Sequence, residues 1–279
     1  PMLLVSLMAL PLGAQTWREV NENTFFVSDM NVDVTFNFLT GEDSDVMPVS
    51  AKGFGSISGL LLVDNVHFTG DMLFKVGESN AISIGSGIGF IAKKWRFQDP
   101  LVFEAQTFDG GSVNSLAVDE DDLASAEPGD NYVAVFEDPL ASEPNLEHDF
   151  EQGFFGAGKS KFVVGYLRVP LTLGFQSVDF EEKQQKFNIE VGGILDIALD
   201  GKQKRKFRDL SVGEDVVRKE KDFDDLQAER IQVGASVRVE FADWIGLYGA
   251  YMFTPLFDDD NPLNPDVNAA ELSLYFSPF

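Results

Sequence analysis

The sequence predicts an all-β fold: a single antiparallel up-and-down transmembrane β-barrel, of eight strands or alternatively ten. Three observations predict it. Long segments alternate apolar and polar residues with almost no error, so each is a strand with one apolar face. Phe187, Ile189, Val191, Gly193, Leu195, Ile197 and Leu199 share one side of such a segment, against Asn188, Glu190, Gly192, Asp196 and Asp200. The connections between segments alternate between long and short, as in bacterial outer-membrane barrels with short periplasmic turns and long outer loops. Finally, beyond residue 14 no apolar stretch approaches the ~20 residues of a membrane-spanning helix, so a membrane location requires a closed barrel.

Taken in order, the first element is an apolar run from Met2 to Leu12, followed by Leu12-Gly13-Ala14-Gln15. This pattern reads as an export signal over residues 1–14, with its true start cut off because no basic stretch precedes it. Residues 15–279 then form the barrel domain. The first clear strand is Asn31–Leu39, with Val32, Val34, Phe36 and Phe38 opposite Asn31, Asp33, Thr35 and Asn37. Phe54–Val76 is strand-like but changes phase near Asp64-Asn65, as either a bulge or a tight turn. Ala81–Phe97 comes next, then Phe162–Gln176, Phe187–Leu199, Gln227–Phe241, Trp244–Thr254 and Val267–Phe276. One bent strand over 54–76 gives eight strands; splitting it and adding Thr24–Val27 gives ten.

The short connections, at 77–80, 177–186 and 242–243, are assigned to the periplasm, with both chain ends. The long ones project outward: 40–52, 98–160, 201–226 and 255–266. The longest carries fifteen Asp and Glu between Arg96 and Lys159 and no Lys or Arg. Its counterpart at 201–226 is basic, with Lys202, Lys204, Arg205, Lys206, Arg208, Arg218, Lys219 and Lys221. These two loops are expected to pack over the barrel mouth as a charge-paired cap. Ser211-Val212-Gly213-Glu214 has capping-box spacing and suggests a short helix over about 212–228.

Charge bounds the partners. With 21 Lys and Arg against 46 Asp and Glu, the formal charge is −25. That excludes nucleic acid as a natural partner, because its affinity comes largely from basic residues meeting phosphates. The chain has no cysteine, so disulfides and thiolate metal sites are excluded. Outer-membrane lipid is the expected surrounding. A lysine or arginine facing mid-membrane lipid costs roughly 2–4 kcal/mol, so Arg168, Lys186, Glu190, Asp196, Arg230, Arg238 and Glu240 are assigned to the barrel interior. Eight strands leave an interior filled by side chains, and these charges then form a structural plug in place of a conduction path.

Several motifs invite chemistry. Gly153, Gly158, Lys159 and Ser160 occupy every fixed position of a P-loop. Phosphate binding there needs a helix after the loop. Instead Phe162 begins an alternating strand that contains Pro170, so the match is read as chance and no cofactor is expected. Gly85-Ser86-Gly87-Ile88-Gly89 lies within a strand and lacks dinucleotide spacing. His67 and His148 have no metal-binding spacing; His67 reads as a lumen or interface residue. Divalent cations are candidate ligands of the acidic loops, at Asp119-Glu120-Asp121-Asp122 and weakly at Asp258, Asp259 and Asp260. Neither cluster has an EF-hand glycine, and charged, solvated loops are the preferred reading of both.

The segment Tyr166-Leu167-Arg168-Val169-Pro170-Leu171-Thr172-Leu173 resembles the tyrosine-to-proline strand of PorT-like outer-membrane β-barrel proteins of Bacteroidota. The resemblance continues through Gly192-Gly193, Tyr251-Met252-Phe253 and Leu272-Ser273-Leu274-Tyr275-Phe276, and covers about residues 81–279. The sequence departs from that family in its unusually long acidic insertion and in Pro278-Phe279, which come after the last alternating residue. The resemblance implies an eight-stranded outer-membrane barrel and no catalytic residue. The expected function is therefore a structural or interaction role at the cell envelope, alongside envelope or secretion proteins, with no catalysis. A small-solute or hydrophobic-ligand transporter is the alternative, and an outer-membrane lipid hydrolase the third.

Overall fold

The computed structural model describes residues 16–47, 65–97, 101–113, 115–137, 146–147, 161–212, 214–220, 228–241, 245–257 and 261–276. Eight strands close a ring: β2 (Thr24–Thr40), β3 (Asn65–Lys75), β4 (Asn80–Arg96), β8 (Lys161–Asp179), β9 (Gln184–Asp209), β11 (Ile231–Phe241), β12 (Ile245–Pro255) and β13 (Asn268–Phe276). Each pairs antiparallel with its neighbours in sequence, and β13 returns to β2 to close the barrel. A further strand, β1 (Thr16–Asn21), lies antiparallel on β2 from Thr24 to Ser28, while β13 covers Val32 to Thr40. The segment expected as a separate strand at Thr24–Val27 is thus the start of β2. Of the strand expected over Phe54–Val76, β3 is the part from Asn65 onward; residues 48–64 lie outside the described residues, as does the expected signal at 1–14.

Alternation dictates the barrel's two faces. Along β2, Asn31, Asp33, Thr35 and Asn37 are buried in the lumen, each one residue away from an outward apolar side chain. The outward face is a continuous apolar band, in which Phe90, Leu171, Leu199 and Phe253 are 54%, 64%, 59% and 62% exposed. In water such a belt would be costly; in hydrocarbon it is the stable arrangement. Among the described residues no helix is long and apolar enough to cross a membrane.

The loops sort by length as expected. The strand ends that flank 22–23, 76–79, 180–183 and 242–244 lie together at one end of the barrel, and those that flank the long connections lie at the other. The acidic insertion is more than a loop. Strands β5 (Leu101–Thr107) and β6 (Asn131–Glu137) form a hairpin, and a short helix α1 (Glu120–Ser125) lies between them. Asp119 caps that helix, accepting from Asp121 N at 2.8 Å and Asp122 N at 3.0 Å, while Asp122 accepts from Asp119 N. The acidic run Asp119–Asp122 is therefore a capping box. Its backbone donors hold the Asp119 carboxyl below the usual carboxylate range.

One expectation about the basic segment fails. Among the described residues no helix comes after Ser211: residues 214–220 form β10 (Glu214–Glu220), hairpinned to β9, a strand of 26 residues. The capping-box spacing there is overridden by strand pairing. The insertion does meet the basic hairpin, through β7 (Leu146–Glu147) pairing with Asp209 and Arg208. Its seat on the mouth, however, is apolar.

Candidate functional site

The lumen is filled in tiers, and each tier is set by strand parity. In the middle, Arg168 of β8 stands opposite Asp196 of β9 in register, so a cross-strand ion pair forms on the inward face. Arg168 Nε and Nη2 donate to Asp196 at 2.7 and 2.6 Å. Its Nη1 and Nη2 also reach across to Glu271 of β13 at 2.8 and 2.7 Å, and Nη1 donates to the Tyr248 hydroxyl at 2.9 Å. Lys93 of β4 completes the group, 2.9 Å from Asp196 and 3.3 Å from Glu271, and donates to Gln232 at 2.9 Å. Its ammonium lies 4.6 Å above the centre of the Tyr166 ring. Two cations face two anions, every one of them buried. The paired forks of guanidinium and carboxylate satisfy both geometry and charge.

Toward the short-turn end lies a second polar tier. Arg238 of β11 is in register with Glu190 of β9 and 3.6 Å from it. Asn188 donates to Glu190 at 2.6 Å and to Glu240 at 2.8 Å, and Gln185 donates to Glu240. His67 Nε2 sits 2.8 Å from Asp33, though off hydrogen-bond alignment, with its ring 6.4 Å from that of Tyr248. Beneath this tier Phe25, Val27, Leu73, Ala81 and Val178, with Trp17 and Phe180, make an apolar floor.

The outer mouth is closed by rings. Trp95, Phe162, Phe103 and Phe257 stack at centroid distances of 5.8, 5.4 and 5.9 Å, and Phe97 lies 5.1 Å from Phe103. Phe103, Val133 and Val135 come from the β5–β6 hairpin, so the insertion is the roof of the barrel. Gln203 of β9 pins one edge of it, accepting from Phe103 N and donating to the Leu101 carbonyl. Asn264 accepts from Val133 N at 2.7 Å on the other edge. The hairpin's far face packs Phe108, Tyr132 and Ala134 on Leu263, with Val118 and Leu123 alongside.

The residues assigned to the interior divide accordingly. Arg168, Asp196, Glu190, Arg238 and Glu240 lie in the lumen. Lys186 does not: the β8–β9 register skips it as a bulge between Ser177 and Val178, and its exposed side chain pairs with Asp179 at 3.3 Å. Arg230 is also outside the interior, exposed just before β11 begins. The P-loop-like Gly153, Gly158, Lys159 and Ser160, the acids Asp258, Asp259 and Asp260, and His148 lie outside the described residues. The P-loop match nonetheless leads into β8, a strand of 19 residues, where phosphate binding needs a helix. Sequence reasoning missed Lys93 and Glu271. Both were accessible from parity, since Leu272 and Leu274 face out and place Glu271 inward, and the Ser83-to-Gly89 face continues to Lys93.

Comparison with known proteins agrees on the architecture. Residues 14–259 match the family described as outer membrane protein beta-barrel domain. No curated protein matches the sequence. Among solved structures it is similar to Ail, the attachment invasion locus protein of Yersinia pestis, at 10% identity over 92% of this chain and 98% of that one, with a TM-score of 0.27. OmpT, an outer membrane protein of Vibrio cholerae, aligns at 11% identity over 90% and 97%, with a TM-score of 0.18. These superpositions are too loose to carry any argument about activity. The family match spans most of the chain and agrees with the closed ring and its apolar band, and the chain belongs to the outer membrane protein beta-barrel domain family, located in the bacterial outer membrane.

Proposed function

We propose that this barrel is a non-conducting, non-catalytic envelope protein of PorT-like type, which serves as a membrane anchor for its outer cap and acts alongside other envelope or secretion proteins. One observation carries this reading: the lumen is blocked at mid-height by Lys93, Arg168, Asp196 and Glu271, a buried and charge-balanced network. A solute pathway would require breaking that network, and its closure is the filled interior that small barrels favour. The aromatic roof adds a second seal. The recognition surface is then the cap, whose described span 101–137 carries nine Asp and Glu and no Lys or Arg. Such a surface suits a basic partner or divalent cations.

Reconstitution in planar bilayers tests the reading. Wild-type protein is expected to show no stable conductance steps. Reproducible steps that survive in the intact barrel would favour the small-solute transporter. The lipid hydrolase is tested by lipid turnover with purified protein and its loss in His67→Ala.

A further inference from the structure

The two polar tiers of the lumen differ in charge balance. The middle one sets Arg168 and Lys93 against Asp196 and Glu271, two cations for two anions. In the lower one Arg238 faces the charge of four carboxylates, Glu190, Glu240, Asp71 and Asp33. His67, beside Asp33, is the other described group in that tier able to carry positive charge. Lys75 lies below it, with its ammonium over the Phe180 ring of the floor. Even with both nitrogens of His67 protonated, two negative charges are left over inside the barrel, where an unbalanced charge is costly.

The surplus gathers at Asp71. It makes no hydrogen bond or ion pair among the described residues; Glu190, Glu240 and Asp29 repel it and Arg238 attracts it. Asp71 is in register with Gly85, and Gly85 with Thr172. One inward row nearer the short turns, Ser83 is in register with Gly174, and Gly174 with Glu190. A Cβ on Gly85 would collide with Asp71 Oδ1 and Thr172 Oγ1, and one on Gly174 with Ser83 Oγ and Glu190 Cγ. The two glycines thus let two carboxylates and two hydroxyls lean over one patch of wall. In the next row Gln176 and Asn188 are in register.

Ser83, Gln176 and Asn188 are buried to within 2% of fully, and Ser83 Oγ, Gln176 Oε1 and Asn188 Oδ1 have no hydrogen-bond partner in the protein. What lacks a partner here is oxygen: a carboxylate, two amide carbonyls and a hydroxyl. Buried acceptors call for donors or for a cation, and the surplus charge selects the cation. Asp71, Arg238 and Glu240 keep some exposure, although Leu73, the next inward residue below Asp71, is fully buried in the floor. A space of at least water size therefore adjoins the carboxylates. We infer that the lower tier binds a hard divalent cation of the calcium class, held by Asp71 and Glu190 with oxygens of Ser83, Thr172, Gln176 and Asn188, and with water completing the shell. Its two charges cancel the surplus. Among the described residues no three acids or imidazoles converge on one point, which selects against a transition metal and for an ion that accepts neutral oxygens.

Urea unfolding of the barrel in lipid vesicles, at constant pH and ionic strength and with either calcium or EDTA, tests this. A ligand of the folded state alone, at about a hundred times its dissociation constant, shifts the unfolding equilibrium about a hundredfold. Wild type is expected to show a saturable calcium shift of that order. Asp71→Asn is expected to lose it, and to be more stable than wild type in EDTA because a surplus charge is gone. Ser83→Ala keeps every carboxylate and is expected to need several-fold more calcium for the same shift. An Asp258→Asn, Asp259→Asn, Asp260→Asn variant, altered only in the 255–266 connection, is expected to respond as wild type does. An equal calcium shift in Asp71→Asn and wild type overturns the inference. So does a wild type that ignores calcium and is stabilised by mild acidification instead, since protons would then balance the carboxylates. If Asp71→Asn does not form the heat-resistant barrel, Ser83→Ala and the calcium dependence of wild type decide the matter in the same way.

Discussion

Replacing Arg168 by methionine isolates what the central network contributes. The guanidinium makes two hydrogen bonds to Asp196, two to Glu271 and one to Tyr248. With it, two cations balance two anions; without it, Lys93 alone faces both carboxylates in a site where Asp196 is 0% and Glu271 5% exposed. Removing one partner of a buried ion pair costs about 3–5 kcal/mol, chiefly from the charge left uncompensated. Arg168→Met should therefore shift the unfolding equilibrium by a factor of roughly 10²–10⁴. Glu271→Gln leaves the opposite excess and should also destabilise. The double variant restores neutrality, with Lys93 on Asp196. Its cost should consequently fall well short of the sum, with a coupling of about 2 kcal/mol, inside the range for residues sharing one network. Urea unfolding in lipid vesicles, followed by tryptophan fluorescence and by the gel mobility of the folded barrel, measures all three. If the two single costs simply add, the charge-balance argument is wrong and the network is only a set of separate hydrogen bonds.

The roof should fail separately from the wall. Phe103→Ala removes the ring between Phe97, Phe162 and Phe257, a loss of about 3–5 kcal/mol by the usual cost of such truncations. Limited proteolysis should then cut within 101–137 while the barrel keeps its folded mobility; an unchanged digestion pattern would count against an aromatic seal. Gly192→Ala should destabilise by about 1–3 kcal/mol, because its Cβ would stand 2.2 Å from the Leu171 carbonyl oxygen. Gly193→Ala, where the nearest atom is 3.9 Å away, should be nearly silent in the same unfolding assay. Two carboxyls of the outer cap should respond oppositely to acid. Asp119 is held low by backbone donors, so its cap on α1 is complete above the ordinary carboxylate pKa and is lost as pH falls through its depressed value. Asp43 is pushed up by burial and by Asp122, Asp266 and Glu42, against the pull of the bond it accepts from Asp266 N, so the segment around it gains stability as pH falls through that raised value. Hydrogen exchange of 120–125 and 261–267 against pH, with opposite trends, checks both.

The parts legible in the sequence are those where one rule acts alone. On β2, β9 and β11 the membrane leaves no third environment, so each residue faces either lipid or lumen and alternation reads the barrel directly. Arg168, Asp196, Glu190, Arg238 and Glu240 are placed by that rule alone. It fails at Lys186 because a single bulged residue reverses parity, and nothing in Gln184-Gln185-Lys186 marks the bulge. Outside the membrane the rule loses its force. Leu101-Val102-Phe103 and Tyr132-Val133-Ala134-Val135 are apolar runs buried on both faces, one by the barrel mouth and one by Leu263 and its neighbours. Such runs do not alternate, and their charged surroundings make them look like loop. The basic hairpin is hidden for a related reason: in β9 beyond Leu199 and in β10, charge replaces hydrophobicity along the strand, so period-two patterning disappears although the pairing continues. The acidic count of the insertion thus describes only its outer surface. Its fold depends on a few rings that the count passes over, and those rings turn an acidic loop into the barrel's roof.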